Sequence, residues 1–110
     1  MTPAELLALV ELTVDRQQEW TEALILEKLG YNGEIKTYAS GGVKTVTFPQ
    51  PYAVGVTDIN VEVKVFNAAG EDIGGQIDES SITNTSFDVY VDEACTLMYN
   101  SFEPKATVPL

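Results

Sequence analysis

Hydrophobic and polar residues alternate along most of the chain after residue 42. The clearest run is 59–66, where aliphatic and polar positions follow one another: Ile59, Val61, Val63 and Val65 against Asn60, Glu62 and Lys64. This alternation is typical of a strand with one face in a core and the other in water. Related patterns predict strands at 43–48, 73–77, 80–85, 86–91 and 95–102. About six short antiparallel strands predict a mainly β fold, a small β-sandwich over 43–104.

The first 30 residues have a different pattern, which predicts one long N-terminal α-helix. Thr2, Pro3 and Glu5 have the spacing of an N-cap, a first-turn proline and a capping-box glutamate. Lys28 followed by Gly30 is typical of a helix C-terminus. Because no proline or glycine lies between these ends, we expect a helix over 3–29, about 40 Å long.

One side of this predicted helix carries residues at alternating spacings of four and three: Leu6, Val10, Thr13, Gln17, Trp20 and Leu24. The spacing is that of a coiled-coil seam with two polar interruptions. Two interpretations stay open. The six residues form an oligomer interface between helices of three copies, or the helix packs on its own sandwich. The sandwich region is small for an independent core, so an oligomer would supply additional burial.

Segment 31–42 is rich in glycine, asparagine, serine and tyrosine, and it is predicted to be a linker with room for one short strand at 34–38. The tail, 105–110, is predicted to be loose.

Two prolines follow the strand predicted at 43–48, in the stretch FPQPY. Proline lacks the amide hydrogen that a sheet ladder uses, and it favours an extended conformation in the residue before it. The chain is therefore predicted to leave its sheet here and cross to the other sheet, with Tyr52 at the edge of the core. If the segment were exposed and unpaired, it could instead be a ligand for a proline-binding domain.

Charge and composition exclude several classes of function. The 110 residues include 17 acidic and 6 basic side chains, which gives a formal net charge of −11. That charge argues against nucleic-acid binding through phosphates. No apolar run is long enough for a membrane span. Since the chain has no histidine and one cysteine, Cys95, it has no histidine-based triad, no common zinc site and no intrachain disulfide.

The remaining polar residues indicate neither catalysis nor a cofactor. Two acidic pairs, 71–72 and 78–79, flank a glycine-rich stretch, but their spacing fits no EF-hand loop, so we predict solvated turn residues and no metal site. No carboxylate pair is marked out for acid–base work. We therefore predict that the protein is not an enzyme. Asp88 and Tyr90, on the outward face of one predicted strand, are the candidate ligand-binding residues.

Four stretches resemble, in this order, the small β-sandwich of bacteriophage tail and head fibres, which is similar to the H-type lectin domain: VTFPQPY, INVEVKV, ITNTSFDVYV and TLMYNSF. The resemblance covers about residues 43–103. The residues that match its motifs are Phe48, Pro49, Pro51 and Tyr52, then Ile82, Thr83, Phe87 and Val89, and finally Tyr99.

This resemblance implies a phage structural protein, either a trimeric fibre or a decoration of the head or tail, with a role in adhesion to the host surface. It implies a homotrimer that contacts other virion proteins and that is located in the virion after synthesis in the host cytoplasm. In such fibres a preceding helix often forms a three-stranded coiled coil, and the seam is compatible with one. The alternative function is a carbohydrate-binding, lectin-like module that recognises a cell-surface glycan.

Overall fold

The computed structural model describes residues 2–56 and 58–102. Two short helices are followed by six strands: α1 (Pro3–Leu9), α2 (Glu22–Leu29), β1 (Ile35–Tyr38), β2 (Gly42–Thr47), β3 (Asn60–Asn67), β4 (Gln76–Asp78), β5 (Ser86–Val91) and β6 (Cys95–Phe102). The strands form two antiparallel sheets of three strands, ordered β1-β6-β3 and β2-β5-β4. The predicted mainly β class is confirmed.

The sandwich core lies between the two sheets. Val46, Phe87 and Val89 of the second sheet pack against Val65 and Leu97 of the first. All five side chains are fully buried. These residues occupy alternate positions of their strands, so the period of two in the sequence predicted which side chains point inward.

Most predicted strands are confirmed, and one is wrong. The strand predicted at 73–77 is shorter and shifted, since β4 covers Gln76–Asp78. Strands 86–91 and 95–102 match β5 and β6 at every residue, and a strand is present within the segment predicted as a linker, at β1. Region 80–85 is not a strand: Glu79–Ser81 form a 3₁₀ turn. Its hydroxyls bond locally, since the Ser80 side chain donates to Asp78 Oδ1 at 2.6 Å. Such bonds compete with a sheet ladder.

The proline segment connects the two sheets, as predicted. The chain leaves β2 in the second sheet and enters β3 in the first. The amides of Phe48 and Tyr52, which flank the prolines, donate to the carbonyls of Thr85 and Asn84 at 2.8 Å each. The Tyr52 ring packs edge-on against Phe48, with centroids 5.4 Å apart. Tyr52 thus lies at the edge of the core, as predicted.

The prediction of one long N-terminal helix is wrong. α1 ends at Leu9, and Glu11 has a left-handed backbone with φ of 57°, which no helix interior contains. A second helix then begins after Thr21, whose side chain accepts from the Leu24 amide. The connecting residues are mostly polar, and the Asp15 side chain accepts from the Gln17 amide at 2.9 Å, a local bond that competes with a helix. The predicted end signals, Thr2 and Gly30, are both confirmed as caps.

The two helices cover the outer face of the first sheet. Leu26 of α2 packs with Phe66 and Met98, which point away from the sandwich core. Leu7 and Ile25 pack together, with Ile35 of β1 beside them. This agrees with the interpretation that the N-terminal region packs on its own sandwich. The molecule therefore has three layers: helices, first sheet and second sheet.

Candidate functional site

The outer face of the second sheet is not covered by the helices, and it carries both candidate ligand-binding residues. Alternation along its three strands directs every second side chain outward, and six of these side chains form two adjacent rows: Val43 and Thr45 of β2, Gln76 and Asp78 of β4, and Asp88 and Tyr90 of β5. We call this set the open face. Five of the six residues are exposed and Asp88 is half-buried.

Tyr90 lies in the middle of an exposed row. Its direct neighbours across the sheet are Val43 on β2 and Gln76 on β4. Tyr90 is 45% exposed and Val43 is 68% exposed. An aliphatic and an aromatic side chain side by side on a sheet surface form a small apolar patch, and such patches are common at binding surfaces.

Asp88 lies in the adjacent row, between Thr45 and Asp78. The Thr45 hydroxyl donates to Asp88 Oδ1 at 2.7 Å, and the Asp88 amide donates to Ser81 Oγ at 2.8 Å. Asp78 and Asp88 lie directly opposite each other, and like charges in this arrangement destabilise a sheet. Hydrogen-bond donors from a partner would reduce this repulsion. The open face therefore offers fixed carboxylate acceptors next to an apolar patch.

The six predicted interface residues do not form one seam. Leu6 is buried beneath α2, whereas Thr13 and Gln17 are exposed in the connection between the helices. Trp20 donates from Nε1 to the Asp15 carbonyl at 2.9 Å. Val10 is half-buried and Leu24 is 37% exposed. Because the continuous helix is absent, the spacing of four and three no longer places these residues on one line.

Two titratable side chains, those of Tyr99 and Cys95, lie in the core. Tyr99 is fully buried, and burial together with nearby Glu34 raises its pKa from 10.0 to about 12. Burial is also the main cause that raises the pKa of the Cys95 thiol. A buried thiol with a raised pKa is a poor nucleophile. Tyr99 is likewise not an exposed platform for a ligand.

The sequence did not single out Val43, although it is the more exposed half of the apolar patch. Its position in a strand was predicted, but the pairing of Val43 with Tyr90 depends on contacts between residues far apart in the chain. One local signal was present. Val43 lies two residues before Thr45, so the alternation places it on the outward face, opposite to Val46.

Other kinds of site have little support. In the described part of the chain, no three histidine, cysteine or acidic side chains are placed to hold a metal ion. α1 and α2, which have seven and eight residues, are both too short to cross a membrane. No family model, curated protein or solved structure matches the chain.

Proposed function

We propose that this protein is a structural component of a phage virion, a trimeric fibre or a head or tail decoration, that assembles through its open face. The observation that carries the proposal is the unequal covering of the two sheets. Helices cover the first sheet, and the second sheet leaves Val43 and Tyr90 in solvent. A stable assembly needs a contact surface with an apolar centre and a polar rim, and the open face has both.

The motif resemblance supports the virion assignment. Its residues have definite positions in the fold: Phe48 and Tyr52 at the sheet crossover, Phe87 on β5 and Tyr99 on β6. These rings contact one another in the core, with Phe87 and Tyr99 centroids 5.5 Å apart. Adhesion to a host surface would use whatever part of the open face the assembly leaves exposed.

Light scattering coupled to size exclusion tests the assembly. One chain has a mass of 12.0 kDa, so a trimer has three times that mass, about 36 kDa. We expect the trimer. A single species of 12.0 kDa at high protein concentration would contradict the proposal.

Two matched substitutions distinguish the open face from the helix layer as the interface. Val43→Asp places a charge in the open-face patch, and Leu24→Asp places one on the exposed side of α2. We expect Val43→Asp to reduce the mass to that of one chain and Leu24→Asp to leave the trimer intact. Leu24→Asp is a suitable control, because aspartate is favoured in the first turn of a helix. The opposite result would assign the interface to the helix layer.

Carbohydrate binding is the second candidate, and the geometry around Asp88 favours it. A fixed carboxylate lies one row away from an exposed tyrosine, and sugar recognition uses both hydrogen-bond acceptors and an aromatic surface. We expect affinity in the millimolar to micromolar range that is lost in Tyr90→Ala and Asp88→Ala. Asp88→Asn keeps the size of the side chain and should retain partial binding. No binding across a broad glycan array would exclude this function.

A further inference from the structure

On β3, at one edge of the first sheet, alternate residues direct their hydrogen-bonding groups away from β6, and segment 71–73 pairs with only the last of them. At the end of β3, the Ile73 amide donates to the Val65 carbonyl and the Asn67 amide donates to the Glu71 carbonyl, each at 3.0 Å. The Val65 carbonyl and the Asn67 amide, which belong to β3, therefore point away from β6. Because the direction alternates along a strand, the amides and carbonyls of Val61 and Val63 also point away from β6.

These four backbone groups have no hydrogen-bond partner among residues 2–56 and 58–102. We call Val61 and Val63 the β3 edge. An edge of this kind is a template for an added strand unless it is blocked. No proline interrupts β3, and its one basic residue, Lys64, lies 3.0 Å from the Asp72 carboxylate.

A groove of about 390 Å³ runs alongside the β3 edge. It lies between Val61 on β3 of the first sheet and two residues on the other side, Ile77 on β4 of the second sheet and Ile82 in the segment after β4. These three side chains are half-buried and pack against the sandwich core. An added strand would direct every second side chain into this groove, since strand side chains alternate between faces.

The surroundings of the groove are acidic. Asp58 and Glu79 line it, and Glu62 projects from β3 on the outer side of the edge. The whole chain carries a net charge of −11. On the outer side of the edge, a basic side chain beside Glu62 would be favoured, and an acidic one would be repelled.

We propose that the β3 edge binds an extended segment of a partner protein in which β-branched apolar residues alternate with lysine or arginine. The partner backbone pairs with Val61 and Val63, its apolar side chains enter the groove, and its basic side chains lie beside Glu62. Main-chain pairing of this kind gives affinity, and the alternate side chains give specificity. This surface is separate from the open face, so the inference does not depend on trimer assembly.

The test uses a short capped peptide that alternates lysine and valine, added to the full chain labelled with ¹⁵N. We expect the amide signals of Val61 and Val63 to shift and their hydrogen exchange to slow. A peptide of the same composition in two blocks, and one that alternates glutamate and valine, should have no such effect. Equal binding of either control peptide would overturn the proposal.

Val61→Pro removes one outward amide hydrogen without removing a bond to β6, because proline is tolerated at the outer side of an edge strand. We expect it to weaken peptide binding about tenfold or more, as removal of a central contact does. Val61→Ala keeps the amide and shortens one wall of the groove, so it should weaken binding less than Val61→Pro does. Unchanged binding to a folded Val61→Pro variant would contradict strand addition.

Two further outcomes would also overturn the proposal. Slow exchange of the Val61 and Val63 amides without peptide, together with a larger mass that Val43→Asp does not reduce, would assign the edge to a second copy of the chain. Peptide-induced shifts confined to Val43 and Tyr90 would place the binding on the open face. Val43→Asp should change the mass and leave peptide binding intact, so the two proposals fail independently.

Discussion

The ring of Tyr99 is in close contact with its surroundings on several sides. Its centroid lies 5.5 Å from that of Phe87 and 6.4 Å from that of Phe48. On another side, a Cβ atom at Gly33 would collide with the ring, so only glycine fits there. The Gly33 amide donates to the Tyr99 carbonyl at 3.1 Å. The sequence marked Tyr99 as the aromatic residue of the last motif, but the need for glycine at residue 33 arises from a contact between residues distant in the chain.

Ionisation of the Tyr99 hydroxyl makes the stability of the fold change with pH in the alkaline range. Its pKa rises from 10.0 to about 12 on folding, first because of burial and second because of nearby Glu34. Between these values the unfolded chain has lost the proton and the folded chain keeps it. We therefore expect the free energy of unfolding to be unaffected by this group below pH 10 and to fall as pH rises from 10 to 12. Urea unfolding at several pH values measures it.

Tyr99→Phe is the control for this pH dependence, because it keeps the ring and removes the ionising group. The variant should lose less stability than the natural chain between pH 10 and 12. Absorbance at alkaline pH should show one fewer late-titrating tyrosine. Identical pH dependence in both proteins would mean that another group is responsible.

At the scale of elements, the sequence predicted strands better than helices. β5 and β6 carry strong alternation, and their predicted bounds are correct. Region 80–85 is β-prone in composition, but its hydroxyls bond to local acceptors. The helix prediction correctly identified the caps Thr2 and Gly30. Between them the sequence has no proline or glycine to indicate that the helix is interrupted. The break coincides with local hydrogen bonds of Asp15, whose side chain accepts from the Gln17 amide and whose carbonyl accepts from Trp20 Nε1.

Thr21 is the cap that separates the two helices, and its loss should be measurable. Its hydroxyl accepts from the Leu24 amide at 3.3 Å. Thr21→Ala leaves that amide without a side-chain partner, so we expect a loss of about 1 kcal/mol in the free energy of unfolding. Chemical denaturation followed by circular dichroism measures it. Thr21→Ser, which keeps the hydroxyl, should lose much less, and equal losses would show that the methyl group matters instead.

At the scale of the whole molecule, the helix layer and the first sheet share one buried interface. Glu22 of α2 accepts from the Ile35 amide of β1 at 2.7 Å, and Leu26 packs on Met98 of β6. The sequence placed Asp88 and Tyr90 correctly on an outward strand face. It could not show that this face is open while the opposite sheet is covered, since that asymmetry depends on where a separate segment of the chain packs.

Because the layers share this interface, we expect them to unfold together. Trp20, the one tryptophan of the chain, lies beside the helix cluster, so its fluorescence reports on the helix layer. Near-ultraviolet circular dichroism of the buried tyrosine reports on the sandwich. The two signals should share one denaturation midpoint. Leu7→Ala leaves a cavity at a fully buried site, so it should reduce the free energy of unfolding by about 2–5 kcal/mol. Both midpoints should then fall to the same lower denaturant concentration. Loss of the Trp20 signal at lower denaturant would instead make the helix layer an independent appendage, free to leave the sheet and pair with other copies.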